Sequence, residues 1–311
     1  MEESKLKDKS KDENNREENK GFVANINRKM LDTSSLLGLL KWNTPTIYNG
    51  WEQITTNPNY GRSCFNLEPI IDHSPEMGSM VGYAVTVKIN PGKIEDLEKE
   101  VKKGNKGMWS FMATLPTHIP KVGRLLFEKI NFTEIFVINL FCSHKIVVVE
   151  DLSKPVIYGS MWGEVNATFF KSVGAVGCIT DGGVRDLDEM KNVGFHAMSR
   201  GVTISHSYGV MPVEFDVPVS AFGVTVKPGQ LIHADKHGFL VVPEEDEEKL
   251  LEASDYMDMM ERKLVLVPGR EGTGKHPKEI AKKMEEVCAK MNQEKVAKYG
   301  SFRDKFPDFK S

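Results

Sequence analysis

The spacing of apolar residues changes along the chain, and each change marks an element. Gly82 to Ile89 (GYAVTVKI) alternates and is β-branched, which predicts a strand closed by Asn90-Pro91-Gly92. Ile146 to Val149 is a short continuous apolar run stopped by Glu150-Asp151, as in a strand buried on both faces. Val165 to Val173 reads as a helix, Ala175 to Thr180 as a second buried strand, and Leu187 to Val193 as a short helix ending at Gly194. Upstream, Ile26 to Trp42 reads as helical, and Thr44-Pro45-Thr46 starts a fresh helix with proline at an early position. Lys93 to Lys103 has a charged, helix-forming composition. Downstream, short strands turn at Lys227-Pro228-Gly229 and Lys236-His237-Gly238. Glu244 to Lys263 predicts a long acidic helix, and Pro277 to Tyr299 a second, strongly charged one. Strands alternate with helices first, and short strands crowd later. That order predicts a mixed, layered α/β domain and not a doubly wound Rossmann fold.

Two segments depart from this rhythm. Residues 2 to 20 (EESKLKDKSKDENNREENK) carry too little apolar surface to offset the entropy of ordering, which predicts a disordered tail. Residues 122 to 145 (VGRLLFEKINFTEIFVINLFCSHK) are apolar with no clear period, and without them THIPK would run directly into IVVVEDL. The stretch reads as an insertion: either a translated intron or a genuine helix packed on the surface or at a subunit contact. The expected organisation is a disordered tail over 1–21, a domain over 22–265 with the insertion at about 122–145, and a charged helical C-terminal extension over 266–311.

Composition narrows the function classes. The 311 residues are 40% hydrophobic and 27% charged, enough for a core in one large domain or two small ones. A net charge of −3 provides no global field to recruit nucleic acid or anionic lipid. Cys64, Cys142, Cys178 and Cys288 form no CxxC pair, a pattern that suits reduced thiols in a cytosol. No apolar run follows the first methionine, and Ile130 to Cys142 is too short to span a bilayer. The expectation is a soluble, cytoplasmic protein with no membrane or nucleic-acid partner, whose sequons at Asn131 and Asn166 stay unglycosylated.

The residues that carry chemistry lie in YGSMWGEVNATFFKSVGAVGCITDGGVRDLDEM, 158 to 190. Gly159 and Gly163 bracket a loop at the start of a helix, where free amides and the helix dipole suit a carboxylate or phosphate. Positions 165 to 184 separate Glu164 from Arg185, enough for one helix and one strand. Such a unit returns the chain to the same end of a sheet, so Glu164 and Arg185-Asp186 converge, with Asp181-Gly182-Gly183 read as the turn that places the pair. Asp186 and Glu164 are hard oxygen donors for Mg²⁺ or Mn²⁺, and Arg185 offers a fork for a carboxylate or a developing enolate. A metal and an arginine on a 2-oxo acid suit carbon–carbon cleavage with an enolate leaving group. The same residues also fit a surface Arg–Asp pair on a glycine turn.

GEVNATFFKSVGAVGCITDGGVRDLDEMKNVGF, PVSAFGVTVKPGQLIHADKHGFLVVPEE and MVGYAVTVKINPG together resemble the RraA-like family, as does TPTIYNG more weakly. That family contains the regulator of ribonuclease E activity A and the 4-hydroxy-4-methyl-2-oxoglutarate aldolases. The resemblance implies a β/β/α swivelling-domain fold in homotrimers or hexamers, with sites at subunit interfaces. It further implies Asp186 and Glu189 as metal ligands, and Gly163 with the amides of Val165 and Asn166 holding the pyruvyl carboxylate beside Arg185. Glu164, and Glu261 from a neighbouring subunit, would order the metal's water for proton transfer. The aldolases usually carry Asp where this chain has Glu164. The implied activity is a divalent-metal-dependent lyase, an aldolase or oxaloacetate-type decarboxylase acting on a small 2-oxo acid. The alternative is a non-catalytic binding protein that regulates a ribonuclease or another protein partner.

Three further patterns read as structural. GREGTGKH at 269–276 approximates a phosphate loop, but His276 and Pro277 stand where the hydroxyl and helix should be, so a linker between helices fits better. His233, Asp235 and His237 alternate like metal ligands, yet the Gly238 turn favours a hairpin with exposed polar groups. His206 lacks a nearby nucleophile and acid and reads as a satisfied structural histidine.

Overall fold

The structure, a computed structural model, describes residues 30–91, 144–206 and 212–307. The tail over 2–20, the run from Lys93 to Lys103, residues 122–143 of the apolar insertion, Asn131 and Cys142 lie outside the described residues.

Among the described residues, helices α1 (Thr33–Leu39) and α2 (Thr44–Ile54) come first, followed by β1 (Ile71–Asp72) and β2 (Met80–Ile89). Then come β3 (Lys145–Asp151), β4 (Ser160–Trp162), α3 (Glu164–Ser172), β5 (Ala175–Val184), α4 (Leu187–Asn192) and β6 (His196–Val202). Five short strands follow: β7 (Pro212–Phe215), β8 (Val219–Ala221), β9 (Val224–Val226), β10 (Leu231–Asp235) and β11 (Gly238–Val242). The described chain ends in α5 (Glu247–Met260), a π-helical turn (Glu261–Val265), α6 (Leu266–Arg270), α7 (Pro277–Tyr299) and α8 (Phe302–Lys305).

The main sheet runs β1-β6-β5-β3-β2-β10-β11, with β4 paired to β5 and β7 to β2, while β8 and β9 form a separate hairpin. Its centre is parallel, through β2–β3, β3–β5 and β5–β6, and its flanks are antiparallel. Buried parallel strands explain why β3 reads as an unbroken apolar run. This is the mixed, layered α/β architecture that the order of elements predicts, with a helical C-terminal region.

Three apolar clusters hold the layers together. On one face Trp162, Phe170 and Phe195 pack α3 and α4 onto Val147, Val149 and Val184. On the other, Phe222 and Phe239 meet Ile146, Val148 and Ile179. The third cluster seats α1, α2 and α5 on β10 and β11 through Leu39, Ile47, Trp51, Leu231 and Leu250.

Several expectations change in detail. Of the run ending at Trp42, residues 26–29 lie outside the described residues, and within Met30–Trp42 the α-helix is Thr33–Leu39, started where the Asp32 carboxylate accepts from the Ser35 amide. Asn43 caps α2 in the same way, through Thr46 N. The single acidic helix over 244–263 is a 3₁₀ turn, then α5, then a π turn beginning at Glu261. The Asp181-Gly182-Gly183 turn is instead part of β5, whose register shifts between Thr180 and Gly183. Glycine there answers to close approach: a Cβ on Gly182 would lie 2.6 Å from Asp151 Oδ2, and one on Gly183 2.5 Å from Ile157 Cγ2.

The hairpin around Gly238 forms as β10–β11, but its polar residues are not all exposed. His233 is buried between Leu39 O, at 3.2 Å from Nε2, and Thr44 Oγ1, at 2.9 Å from Nδ1, and burial pushes its pKa down to about 4. Asp235 is buried as well and accepts from the Thr44 amide at 2.9 Å, so β10 anchors the start of α2. His206, read as structural, is exposed. The glycine-rich run at 269–276 links α6 to α7, as expected. Cys64, Cys178 and Cys288 are free thiols.

Candidate functional site

The predicted convergence occurs at the carboxyl ends of β4 and β5. Between Gly159 and Gly163 lies the short strand β4 and not a loop; it pairs with the end of β5 at Gly183 and Val184. The Arg185 amide extends that pairing to Trp162 O at 3.1 Å. Trp162 is fully buried against Phe170 and Phe195, with ring centroids at 5.0 and 4.9 Å, so the floor under the pair is fixed by aromatic packing.

Asp186 follows with φ 52° and ψ 51°, the left-handed region that aspartate tolerates better than most residues. It occupies the N-cap of α4 yet makes no side-chain cap to that helix. Its carboxylate turns to the neighbouring helix, where Oδ2 accepts from the Glu164 amide at 3.1 Å and lies 3.5 Å from Arg185 Nε. Gly163 makes room for this, since a Cβ there would sit 2.5 Å from Asp186 Oδ2 and 3.1 Å from Arg185 Nε. Arg185 is steadied by Nη1 donating to Ile204 O at 3.4 Å, and a third of its side chain remains exposed.

Of the residues singled out in the sequence, the chain brings together Gly163, Glu164, Arg185 and Asp186. Val165 and Asn166 stand in the first turn of α3, where amides have no acceptor within the helix. Glu189 lies three residues beyond Asp186 in the first turn of α4, exposed. The Glu164 carboxylate is exposed, and it is the backbone of this residue that touches Asp186. Glu261 is elsewhere: it starts the π turn in the layer over β10 and β11, and its Oε1 accepts from Asn49 Nδ2 at 3.0 Å. A single chain does not carry Glu261 to the Arg185–Asp186 corner. Asn49 lies within TPTIYNG but has no signal of its own, because its partner is 212 residues away.

A divalent cation fits this donor set in one form. Among the described residues no group of three or more His, Cys, Asp or Glu side chains gathers to cage an ion. Asp186 commits Oδ2 to Glu164 and Arg185 while about a third of its side chain stays open, at 32% exposure. One carboxylate, with water at the remaining positions, is how Mg²⁺ is held. The residues thus suit Mg²⁺ or Mn²⁺ in preference to a zinc site built from nitrogen and sulfur.

A buried charged network lies upstream on β5, and sequence reading missed it. Asp181 accepts from Asp151 N at 2.6 Å and from Lys154 Nζ at 2.7 Å, and Lys154 also reaches Ser220 O at 2.8 Å. Burial outweighs these partners and raises Asp181 to about 6. Asp151 is raised by burial too, and its Oδ2 has no hydrogen-bond partner among the described residues. Only the glycine at 182, pressed against that oxygen, hinted at it.

Comparison with known proteins agrees with the fold and leaves the chemistry open. A putative 4-hydroxy-4-methyl-2-oxoglutarate aldolase of Halalkalibacterium halodurans is 37% identical over 82 residues, 26% of this chain and 39% of that one. The 4-hydroxy-4-methyl-2-oxoglutarate aldolase of Thermus thermophilus is 35% identical over 71 residues, 23% of this chain and 43% of that one. The matched segments therefore span less than half of either relative. The crystal structure of RraAS2 from Streptomyces coelicolor, an unusual member of the RNase ES inhibitor RraA protein family, superposes with a TM-score of 0.53 at 18% identity, covering 76% of this chain and 97% of that one. No helix among the described residues is long and apolar enough to cross a membrane. The family model described as RraA-like, Aldolase/RraA, matches residues 44–241, most of the described fold and the whole Gly163–Asp186 corner, and the chain belongs to that family.

Proposed function

We propose that the chain is a divalent-metal-dependent carbon–carbon lyase that cleaves a 2-oxo acid through the enolate of pyruvate. The observation that carries this reading is the Asp186 carboxylate held 3.1 Å from the Glu164 amide with Arg185 beside it. An anion-binding helix start, a guanidinium and an open carboxylate then share one corner.

For a 4-hydroxy-2-oxo acid the balance is closed. The C4 hydroxyl loses its proton and becomes a carbonyl, the C3–C4 bond breaks, and its electron pair passes to C3 as pyruvate enolate. A proton returned to C3 gives pyruvate. Loss of CO₂ from oxaloacetate leaves the same enolate. The Val165 and Asn166 amides, at the positive end of α3, hold the carboxylate of the pyruvyl half. Arg185 lies where negative charge builds on the 2-oxo oxygen and stabilises it. Asp186, with Glu189 one turn on, would hold Mg²⁺ or Mn²⁺, which supplies Lewis acidity when bound. Glu164 moves the proton, and Glu261 joins it from a neighbouring copy, in keeping with the oligomers typical of the family.

The test is pyruvate release from 4-hydroxy-4-methyl-2-oxoglutarate and CO₂ loss from oxaloacetate, each with chelator and with restored Mg²⁺. Turnover that requires the metal and falls at least 10²-fold in Arg185→Ala is expected. An Arg185→Ala variant as active as the parent chain overturns the mechanism. Metal binding without turnover on any 2-oxo acid favours a protein that binds a ribonuclease or another partner.

A further inference from the structure

A cleft of about 350 Å³ opens between the first turns of α2 and the β10–β11 turn, in a different layer from Arg185. Tyr48, Phe65, Phe239 and Leu240 form its apolar walls. The Tyr48 ring meets Phe65 edge-on at 5.7 Å and Trp51 at 5.8 Å, so this wall is a packed aromatic corner and not a loose side chain. Among the described residues, neither lysine, arginine, aspartate nor glutamate lines the cleft.

Of its polar lining residues, Thr44 bonds His233 through Oγ1 and Asn66 bonds Glu68 O and Phe239 N, which leaves His237 and Asn49. The His237 imidazole is oriented by Asp235, with Nδ1 3.0 Å from Oδ1, which leaves Nε2 as the ring nitrogen open to a ligand. Asn49 spends Nδ2 on Glu261 Oε1 at 3.0 Å and keeps its carbonyl oxygen. That bond ties the cleft to Glu261, the acid expected to serve a neighbouring subunit's site. Glu261 also opens the π-helical turn, a helix irregularity that recurs at functional sites.

From these contacts we propose that the cleft receives the non-pyruvyl end of the substrate, and that this end is an uncharged apolar or aromatic group. The inference rests on the lyase reading above and on Glu261 acting across a subunit contact. Charge separates the two halves of the substrate. The pyruvyl carboxylate has Arg185 and the amides of α3, whereas a second carboxylate placed in the cleft would meet no lysine or arginine and would be desolvated without a partner. An apolar side group meets four apolar walls, with Asn49 Oδ1 and His237 Nε2 available to accept from a single hydroxyl. Size agrees, because a benzene-sized group needs only the lower part of the range typical of ligand pockets. The preferred class is a 4-hydroxy-2-oxo monocarboxylic acid with a phenyl or branched alkyl group at C4.

The experiment compares pyruvate release by the full chain, with Mg²⁺, from 4-hydroxy-2-oxo-4-phenylbutanoate and from 4-hydroxy-4-methyl-2-oxoglutarate. The phenyl substrate is expected to have the higher kcat/KM by tenfold or more. Tyr48→Leu, and independently the half-exposed His237→Ala, should lower that preference at least fivefold while leaving oxaloacetate decarboxylation unchanged. Oxaloacetate has no group large enough to fill the cleft, so it also reports whether each variant folds. Equal or better use of the dicarboxylate, or variants that slow both aldol substrates alike, overturns the proposal and leaves the lyase reading standing. No pyruvate from any substrate removes the lyase reading, and the assignment of the cleft falls with it.

Discussion

Asp186 sits at the head of α4, yet its carboxylate accepts from the backbone amide of Glu164, the first residue of α3, at 3.1 Å. The left-handed backbone of Asp186 aims it there, and Gly163 leaves the gap it crosses. A conformation of this kind costs on the order of 1 kcal/mol and persists only where the surroundings enforce it. Here they are the β4–β5 pairing and the buried Trp162.

Gly163→Ala tests that relationship. The new methyl would stand 2.5 Å from Asp186 Oδ2 and displace it, although the backbone of Gly163, at φ −164°, suits any residue. Displacement by about 1 Å is expected to lower kcat roughly 10²-fold. A fall of a few degrees in Tm should accompany it. Pyruvate release and a thermal melt check both, and full activity in the alanine variant would show that the geometry of Asp186 does not matter to turnover.

Much of this corner was legible in the sequence. The alternation of Gly82–Ile89 specifies a strand and the apolar run of Ile146–Val149 a buried one, and the 165–184 spacing returns Arg185 to the start of the helix at Glu164. What could not be read was contact at a distance. Asn49 and Glu261 are paired across 212 residues, Lys154 and Asp181 across 27, and His233 looked exposed because alternation does not reveal that α1 and α2 cover its face. The Asp181-Gly182-Gly183 run misled for a related reason. Glycine marks a turn or a close approach equally well, and the crowding atom, Asp151 Oδ2, lies on another strand.

Gly182→Ala separates those two meanings. A Cβ there would come within 2.6 Å of Asp151 Oδ2 and 3.1 Å of its Cβ, in a buried site with no room to yield. A loss of roughly 2–3 kcal/mol in urea unfolding is expected. Pairing it with Asp151→Ala should recover at least about 1 kcal/mol, as for residues in direct contact. Additive losses would place the cost in the backbone instead.

Asp181 makes stability depend on pH. An unfolded aspartate titrates near 3.9, and burial lifts Asp181 to about 6 in the folded chain. Between those values the folded state binds the proton more tightly, so its contribution is fully present below about pH 4 and is lost as pH rises through about 6. The parent chain should therefore lose stability relative to Asp181→Asn over that window, at up to about 1.4 kcal/mol per pH unit. Denaturant titrations of both at pH 4, 5, 6 and 7 measure the difference; parallel curves would mean that Lys154, 2.7 Å away, keeps the carboxylate ionised throughout.

Glu164 separates what its backbone does from what its side chain does. The amide binds Asp186 and survives any substitution except proline, while the carboxylate is exposed and free to take part in proton transfer. Glu164→Gln keeps length and shape but removes the basic oxygen. It should cost α3 only the interaction of one acid with its N-terminus, about 0.3–1 kcal/mol. If the carboxylate moves the proton, kcat should drop about 10²-fold with KM little changed. Glu164→Asp, which supplies the residue usual in the aldolases, keeps the charge and withdraws it by one methylene, and its kcat should fall between the other two. A glutamine variant with undiminished kcat would remove the side chain from the mechanism and leave Glu164 as the residue whose amide holds Asp186 in place.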